Sequence, residues 1–305
     1  MTIGDMDTSA PGALHLPRQQ AGSAPQHLLI TLLGDFWYKE ATPIPSRALV
    51  ALMEEFDVPE AATRAALSRL ARRGLLDTYR DGRTTRYELT AETHRILVEG
   101  LTRIERFTQK ADSWDGEWTL AAFSISEQRR ELRSALRSRL RWLGFAPLLD
   151  AQWVSPRAQP EDVVEAFREF AVRTGSVFRG RWDPRSPLAP VDAWDVDEIR
   201  NAYDAFIDGF QSLSDELGLG RIDAATSLIE RTRVMDEWRR MPGIDPALPQ
   251  EVLAGDWPGE RARNLFTSLY NGLGDLAALR ARSVIAAFDQ ATADRVRHHT
   301  IRGLR

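Results

Sequence analysis

The chain has 305 residues, a formal net charge of −4 and no cysteine. That length predicts two or three domains, and the charge excludes a protein that coats nucleic acid over its whole surface, so any affinity for a polyanion must sit in a local patch. The missing cysteine excludes disulfides, cysteine–zinc sites and thiol catalysis.

No apolar run approaches the ~18 residues of a membrane span. No basic segment followed by an apolar one opens the chain, so no signal peptide and a cytoplasmic location are expected. Residues 1–25 are rich in Ala, Gly, Pro, Ser and Gln without periodicity, which predicts a disordered tail. A helix is expected from about Gln26 through Leu28, Leu29, Leu32 and Leu33. Ser46 is read as the cap of a second, which carries Leu49, Val50, Leu52, Met53 and Phe56.

A third helix opens at Pro59 and stops at Gly74, the expected left-handed terminator. Ala66, Leu67, Leu70 and Ala71 give it one buried stripe. Ala65, Ser68, Arg69 and Arg72 lie opposite, with Arg64 and Arg73 on the flanks. A hairpin follows at once: Leu75 and Leu76 anchor its first strand, Tyr87 and Leu89 mark its second, and Asp81-Gly82 supplies the tight turn. Arg80, Arg83 and Arg86 are expected at its tip, beside Thr84 and Thr85. An arginine-bearing helix followed by a basic hairpin is the pattern of a winged helix-turn-helix, a DNA-reading element. Thr90 caps a further helix, from Ala91 to about Lys110, that serves as a connector or a dimer contact.

SWDGEW (Ser113 to Trp118) marks a turn at a composition shift. Beyond it come a strand (Trp118 to Ile125), an arginine-loaded helix (Glu127 to Leu143) and two short strands about Asp150 (Phe145 to Pro156). A helix (Pro160 to Arg173) and a strand (Ser176 to Trp182) complete the set. The order βαββαβ predicts a ferredoxin-like sandwich. From Asp195 the chain reads as helical, with Ile199, Tyr203, Phe206, Ile207 and Phe210 on one face and a second helix ending at Met241. A proline-rich connection runs from Pro242 to Pro258, and a last long helix runs from about Gly259 to Asp289. The basic end DRVRHHTIRGLR is expected to fray, and His298 and His299 make a poor metal pair there.

The expected fold class is therefore α+β: a winged helix-turn-helix with linker helix over 26–110, a ferredoxin-like domain over 111–190 and a helical domain over 191–305.

Three stretches resemble the PaaX family of bacterial transcriptional repressors. They are TRAALSRLARRGLL with RDGRTTRYELT (Thr63 to Leu76, Arg80 to Thr90), SWDGEWTLAAFSI with RSRLRWLGFAPLLDAQWVSP (Ser113 to Ile125, Arg137 to Pro156), and DPALPQEVLAGDWPGERA (Asp245 to Ala262). The resemblance implies a homodimer that represses transcription from a palindromic double-stranded DNA operator. It also implies regulation of aromatic catabolism, notably the phenylacetate pathway, and release by an acyl-CoA thioester effector such as phenylacetyl-CoA.

On helical geometry, Arg64 and Ser68 are the expected readers of base edges, since the first half of a reading helix enters the groove deepest. Arg69, Arg72 and Arg73 are expected on phosphates, with a surface ion pair the bland alternative for Arg73. Arg80, Arg83 and Arg86 would hold the wing on the backbone or in the minor groove. Arg133, Arg137 and Arg141 form one ridge at i, i+4 and i+8. The ridge is either a solvated face or a set of cations for coenzyme A phosphates. Trp142 and Trp153 are either core or stacking surfaces for an adenine or aryl group. Trp257-Pro258 and the Asp245–Pro249 stretch are read as fixing the turn before the last helix.

No catalytic motif of the G-x-S-x-G, G-x-x-x-x-G-K-[ST] or H-E-x-x-H type occurs, so an enzyme is not expected and no cofactor or metal is assigned. The enzymatic alternative is a metal-dependent nuclease built on the central domain, with Asp115, Asp150 and Asp183 as ligands.

Overall fold

Twelve residues into the described chain, the backbone of α1 (Pro25–Phe36) has already buried Leu28, Leu29, Ile30, Leu32, Leu33 and Phe36. A helix apolar on nearly every side has to be enclosed, and what encloses it comes from both ends of the sequence. These relationships are seen in a computed structural model that describes residues 25–38, 42–109 and 113–301. The expected tail lies outside the described residues, apart from Pro25, which opens α1. The chain is mixed α+β with two small antiparallel sheets. No described helix is long and apolar enough to cross a membrane.

Contacts gather the chain into two compact units. One holds the described residues of Gly12–Gln109 together with Asp204–Met241 and Glu260–Arg305. In it, α1 packs on α3 (Glu60–Arg72), and α2 (Ser46–Glu54) packs on α3 and on α11 (Gly274–Ala286). Ser46 opens α2 without capping it; its hydroxyl accepts instead from Arg64 at 3.5 Å. Gly74 stops α3 at φ 73°, the left-handed conformation a residue with a Cβ adopts only with strain. The three strands β1 (Ile44–Pro45), β2 (Leu76–Asp81) and β3 (Thr84–Leu89) form a sheet in the order β1-β3-β2. Buried Leu75, Leu76 and Leu89 root the hairpin, and Gly82 turns its tip at φ 56°. Thr90 caps α4 (Ala91–Thr108) through its side chain, as expected.

The same unit takes its remaining helices from the C-terminal half: α7 (Val196–Gly218) from Asp204 onward, α8 (Ala224–Trp238), α10 (Gly259–Gly272) from Glu260, α11 and the short α12 (Gln290–Ala293). The expected single long helix is thus broken at Leu273 and ends before Asp289. Aromatic rings line its middle: Phe206 meets Trp238 edge to face at 5.0 Å, while Trp238 stacks on Phe266 at 4.7 Å and Phe266 on Tyr270 at 5.5 Å. Up to Ile301 the expected fraying of the end is overturned; residues 302–305 lie outside the described ones. Asn271 clasps Ile301 by reciprocal bonds of 2.8 and 2.9 Å, and Val296, His299 and Ile301 are buried. Apolar residues spaced through a basic stretch, here Val296 and Ile301, suffice to anchor it.

The other unit comprises the described residues of Lys110–Tyr203 with Pro242–Gly259. Its elements are β4 (Trp118–Ser124), α5 (Arg130–Trp142), β5 (Ala146–Leu149), β6 (Gln152–Ser155), α6 (Pro160–Glu169) and β7 (Thr174–Gly180). The antiparallel sheet runs β5-β6-β4-β7, which fits a ferredoxin-like core. Helices α5 and α6 cover one face through Leu136, Leu140, Val163 and Ala166, which pack on Ala121, Phe123 and Trp153. On the other face Trp118, Leu148 and Val154 meet Trp114, Trp182 and Trp194. The last strand lies two residues earlier than its sequence suggests, and α6 ends at Glu169, with Ala171 at φ 47°. After the single turn α9 (Met241–Ile244), Asp245 accepts from the Tyr203 hydroxyl at 2.5 Å and from the Ala247 amide at 2.7 Å. These bonds hold the proline-rich stretch in place.

Candidate nucleic-acid interface

Helix α3 shows how a short sequence divides its faces. Thr63, Ala66, Leu67 and Leu70 are buried, which turns Arg64, Ser68 and Arg72 outward and leaves Arg69 half-exposed. Arg64, Ser68 and Arg72 stand at i, i+4 and i+8 and form one ridge. The side chain of Arg64 is half-exposed and braced by Glu60, Nε to Oε1, at 2.7 Å. The brace joins two residues of one helix turn and is exposed to water, so it costs little to exchange for another anion. Arg73 donates to Gln26 at 3.3 Å. Arg69 and Arg72 have no hydrogen-bond or ion-pair partner among the described residues.

The hairpin carries a gradient of charge. Its root pairs Asp77 with Glu88, whereas its far end pairs Arg80 with Thr85 and places exposed Arg83 in the turn. The side chains of Arg80 and Arg83 have no hydrogen-bond or ion-pair partner among the described residues. Beside the root, Glu88 raises the Tyr79 phenol above its ordinary pKa, chiefly through a hydrogen bond between them. Arg86 is not at the tip. It sits opposite Tyr79, donates to the Pro43 carbonyl at 3.2 Å and pairs with Asp289 at 2.7 Å. Nearness to the Asp81-Gly82 turn suggested a third tip arginine, and it carries no record of a carboxylate so distant in sequence.

Sequence reasoning passed over Arg47. It is exposed in the first turn of α2, next to the Ser46 that touches Arg64, and has no partner among the described residues. A helix N-terminus that presents an arginine beside a basic helix was detectable as a third source of cations.

The second candidate cluster keeps its three arginines on one continuous helix, α5, but two of them are engaged within the fold. Arg133 donates to the Ile125 carbonyl at 3.0 Å and pairs with Glu127 at 2.8 Å, while Arg137 reaches the Asp150 carbonyl at 3.4 Å. Arg141 is exposed and lies over the Trp153 ring at 5.3 Å. Trp153 itself is 1% exposed and part of the core, so the stacking role considered for it is corrected to packing. Trp142 is 71% exposed, with the Arg139 guanidinium 4.5 Å from its ring. Arg141 and Trp142 are adjacent at the end of α5 and are what this cluster offers to a ligand.

Of the acids considered as metal ligands, Asp115 pairs with Arg179 at 2.6 Å and Asp183 with Arg185 at 2.6 Å. Their pKa values are lowered, the first mainly by the Glu117 amide and the second mainly by Arg185. No group of three or more potential ligands gathers among the described residues.

Three family models match successive parts of the chain: PaaX-like protein over residues 24–93, PaaX protein central Cas2-like domain over 111–188, and PaaX-like protein C-terminal domain over 194–282. The chain is 29% identical over 267 residues to the transcriptional repressor PaaX of Escherichia coli (strain K12), covering 82% of this chain and 80% of that protein. Among solved structures it is similar to the uncharacterized protein Rv0674 from Mycobacterium tuberculosis, with a TM-score of 0.56 and 22% identity over 86% of this chain and 98% of that one.

Proposed function

The chain belongs to the PaaX family, and from that premise we propose that it is a DNA-binding transcriptional repressor whose reading unit is a winged helix-turn-helix. Helices α2 and α3 form the helix-turn-helix, and the β2–β3 hairpin is the wing. The observation that carries the reading is the set Arg69, Arg72, Arg80 and Arg83, which have no partner among the described residues of a chain with net charge −4. A negative protein that binds a polyanion needs such a local excess of positive charge.

In this reading Arg64 and Ser68 meet base edges in the major groove. Glu60 holds the Arg64 guanidinium until a guanine takes it, and a bidentate contact of that kind is worth ~1–3 kcal/mol of discrimination. Arg69, Arg72 and Arg73 contact phosphates, and Arg80 and Arg83 hold the wing along the backbone or in the minor groove. Two copies would place two reading helices on a palindromic operator, one helical turn (~34–36 Å) or a multiple apart.

An acyl-CoA thioester is the proposed effector, with Arg141 supplying charge and Trp142 a stacking surface at the end of α5. Arg133 and Arg137, tied to backbone carbonyls, would lie along the ridge that leads back from that end. The regulated operon is proposed to serve aromatic catabolism of the phenylacetate type. Fluorescence anisotropy on the DNA upstream of its own coding sequence, titrated with phenylacetyl-CoA, tests both parts. Binding reversed by the thioester supports them. Binding that ignores it removes the effector, and absence of binding removes the repressor.

A further inference from the structure

The Arg86–Asp289 ion pair joins the central strand of the small sheet to the cap of a C-terminal helix. Since β3 lies between β1 and β2, whatever fixes β3 fixes the hairpin. Asp289 is itself held: its carboxylate accepts from the Thr292 amide at 3.0 Å and caps α12. Ala293 and Val296 then bury that segment in the same core as α1, α2 and α3. The Thr292 amide, with Arg86 adding to it, keeps the Asp289 carboxyl below its ordinary pKa. Side-chain exposures of 27% for Arg86 and 13% for Asp289 leave the pair only partly screened by solvent. Arg86 also donates to the Pro43 carbonyl beside β1, so three separate segments converge on one guanidinium.

We infer that Arg86 is a positioning residue: through Asp289 it sets the angle at which the hairpin carries Arg80 and Arg83, and it does not itself contact DNA. The inference rests on the proposed DNA-binding function only for its consequence; the tether itself belongs to the free protein. It makes the C-terminal segment around α12 part of what orients the hairpin, so a change there would reach the wing without touching α3.

The test uses the full chain and three variants, Arg86→Ala, Asp289→Asn and the double variant. Asn keeps an oxygen able to cap α12 and removes only the charge. Two readouts are taken. The first is amide hydrogen exchange over residues 76–89 without DNA, where both single variants should exchange faster than the parent chain. The second is affinity for the upstream DNA across a salt series. Each single variant should weaken binding by about three- to tenfold, and the double by no more than the worse single. The slope of log affinity against log salt should not change, because no phosphate contact is lost. If Asp289→Asn leaves hairpin exchange unchanged, the inference is overturned. It is also overturned if Arg86→Ala lowers the salt slope by about one while Asp289→Asn binds like the parent, since Arg86 is then a phosphate contact. If the parent chain binds no DNA while both variants loosen the hairpin, the tether stands and the proposed function fails.

Discussion

Arg231 grips Asp35 through two hydrogen bonds of 2.7 Å each, across 196 residues of sequence, with the guanidinium fully buried. The same guanidinium lies 3.6 Å from the centre of the Tyr270 ring and donates to the backbone carbonyls of Tyr270 and His299. Tyr270 returns a bond to Asp35 at 2.6 Å. One cation thus ties α1, α8, α10 and the C-terminal segment together, and four hydrogen bonds donated by its N–H groups are accepted from within the fold. A buried pair of this kind is costly to break from one side, because the partner charge stays behind without solvent.

Arg231→Met should therefore destabilise the chain by ~3–5 kcal/mol, with the Asp35 carboxylate left without its counter-charge and two carbonyls without their donor. Urea unfolding measures it. Adding Asp35→Leu to that variant should recover part of the loss, because the stranded carboxylate is gone. A single variant within about 1 kcal/mol of the parent would contradict the account.

Acid should act on the same region through its histidines. Burial pushes the pKa of His299, and likewise of His298, below the ordinary histidine value. His299 faces Glu105 at 3.6 Å and the edge of Tyr38, with Arg231 and Asp35 also acting on its charge. A depressed pKa means the folded state holds fewer protons than the unfolded one. The contribution is complete above the unfolded value near 6.5 and is lost as pH falls through the lower, folded value. The urea midpoint should thus fall between about pH 7 and pH 5, before most carboxylates titrate. His299→Phe should flatten that fall, and an equally steep decline in the variant would show that His299 is not its source.

Local features were legible in the sequence, and long-range pairs were not. Gly74 announced the end of α3, Asp81-Gly82 the hairpin turn, and the 3.6-residue spacing of Ala66, Leu67 and Leu70 the buried face that turns Arg64, Ser68 and Arg72 outward. The order of strands and helices in the central unit could be read because each element carries its own period. Asp35 with Arg231, and Arg86 with Asp289, leave no trace in any window of sequence. Each is an ordinary charge on an ordinary element until the fold joins them. The C-terminal segment shows the same limit. Its charges suggested fraying, whereas two aliphatic side chains and the Asn271 clasp hold it down.

The two tryptophans considered for the effector should separate cleanly. Trp153→Ala removes a core side chain between Phe123 and the helix layer and should cost ~3–5 kcal/mol. Trp142→Ala should stay within about 0.5 kcal/mol of the parent, since its ring is mostly in water. Only the second is expected to weaken release of DNA by phenylacetyl-CoA while leaving operator affinity intact. Unchanged release in Trp142→Ala would move the effector site elsewhere.

Arg64→Ala should narrow the gap in affinity between the natural operator and scrambled DNA by ~1–3 kcal/mol, with little effect on scrambled DNA itself. Competition anisotropy measures the gap. A uniform loss on both DNAs would reassign Arg64 to a phosphate.

The central claim is that the outward arginines of α3 and the hairpin tip bind duplex DNA. The most direct test is the salt dependence of binding to the chain's own upstream DNA, for the parent chain and for Arg72→Ala and Arg83→Ala. The account predicts tight binding at low salt, a steep linear loss with rising salt, and a slope smaller by about one in each variant. No binding at low salt, or the same slope in all three proteins, would contradict it.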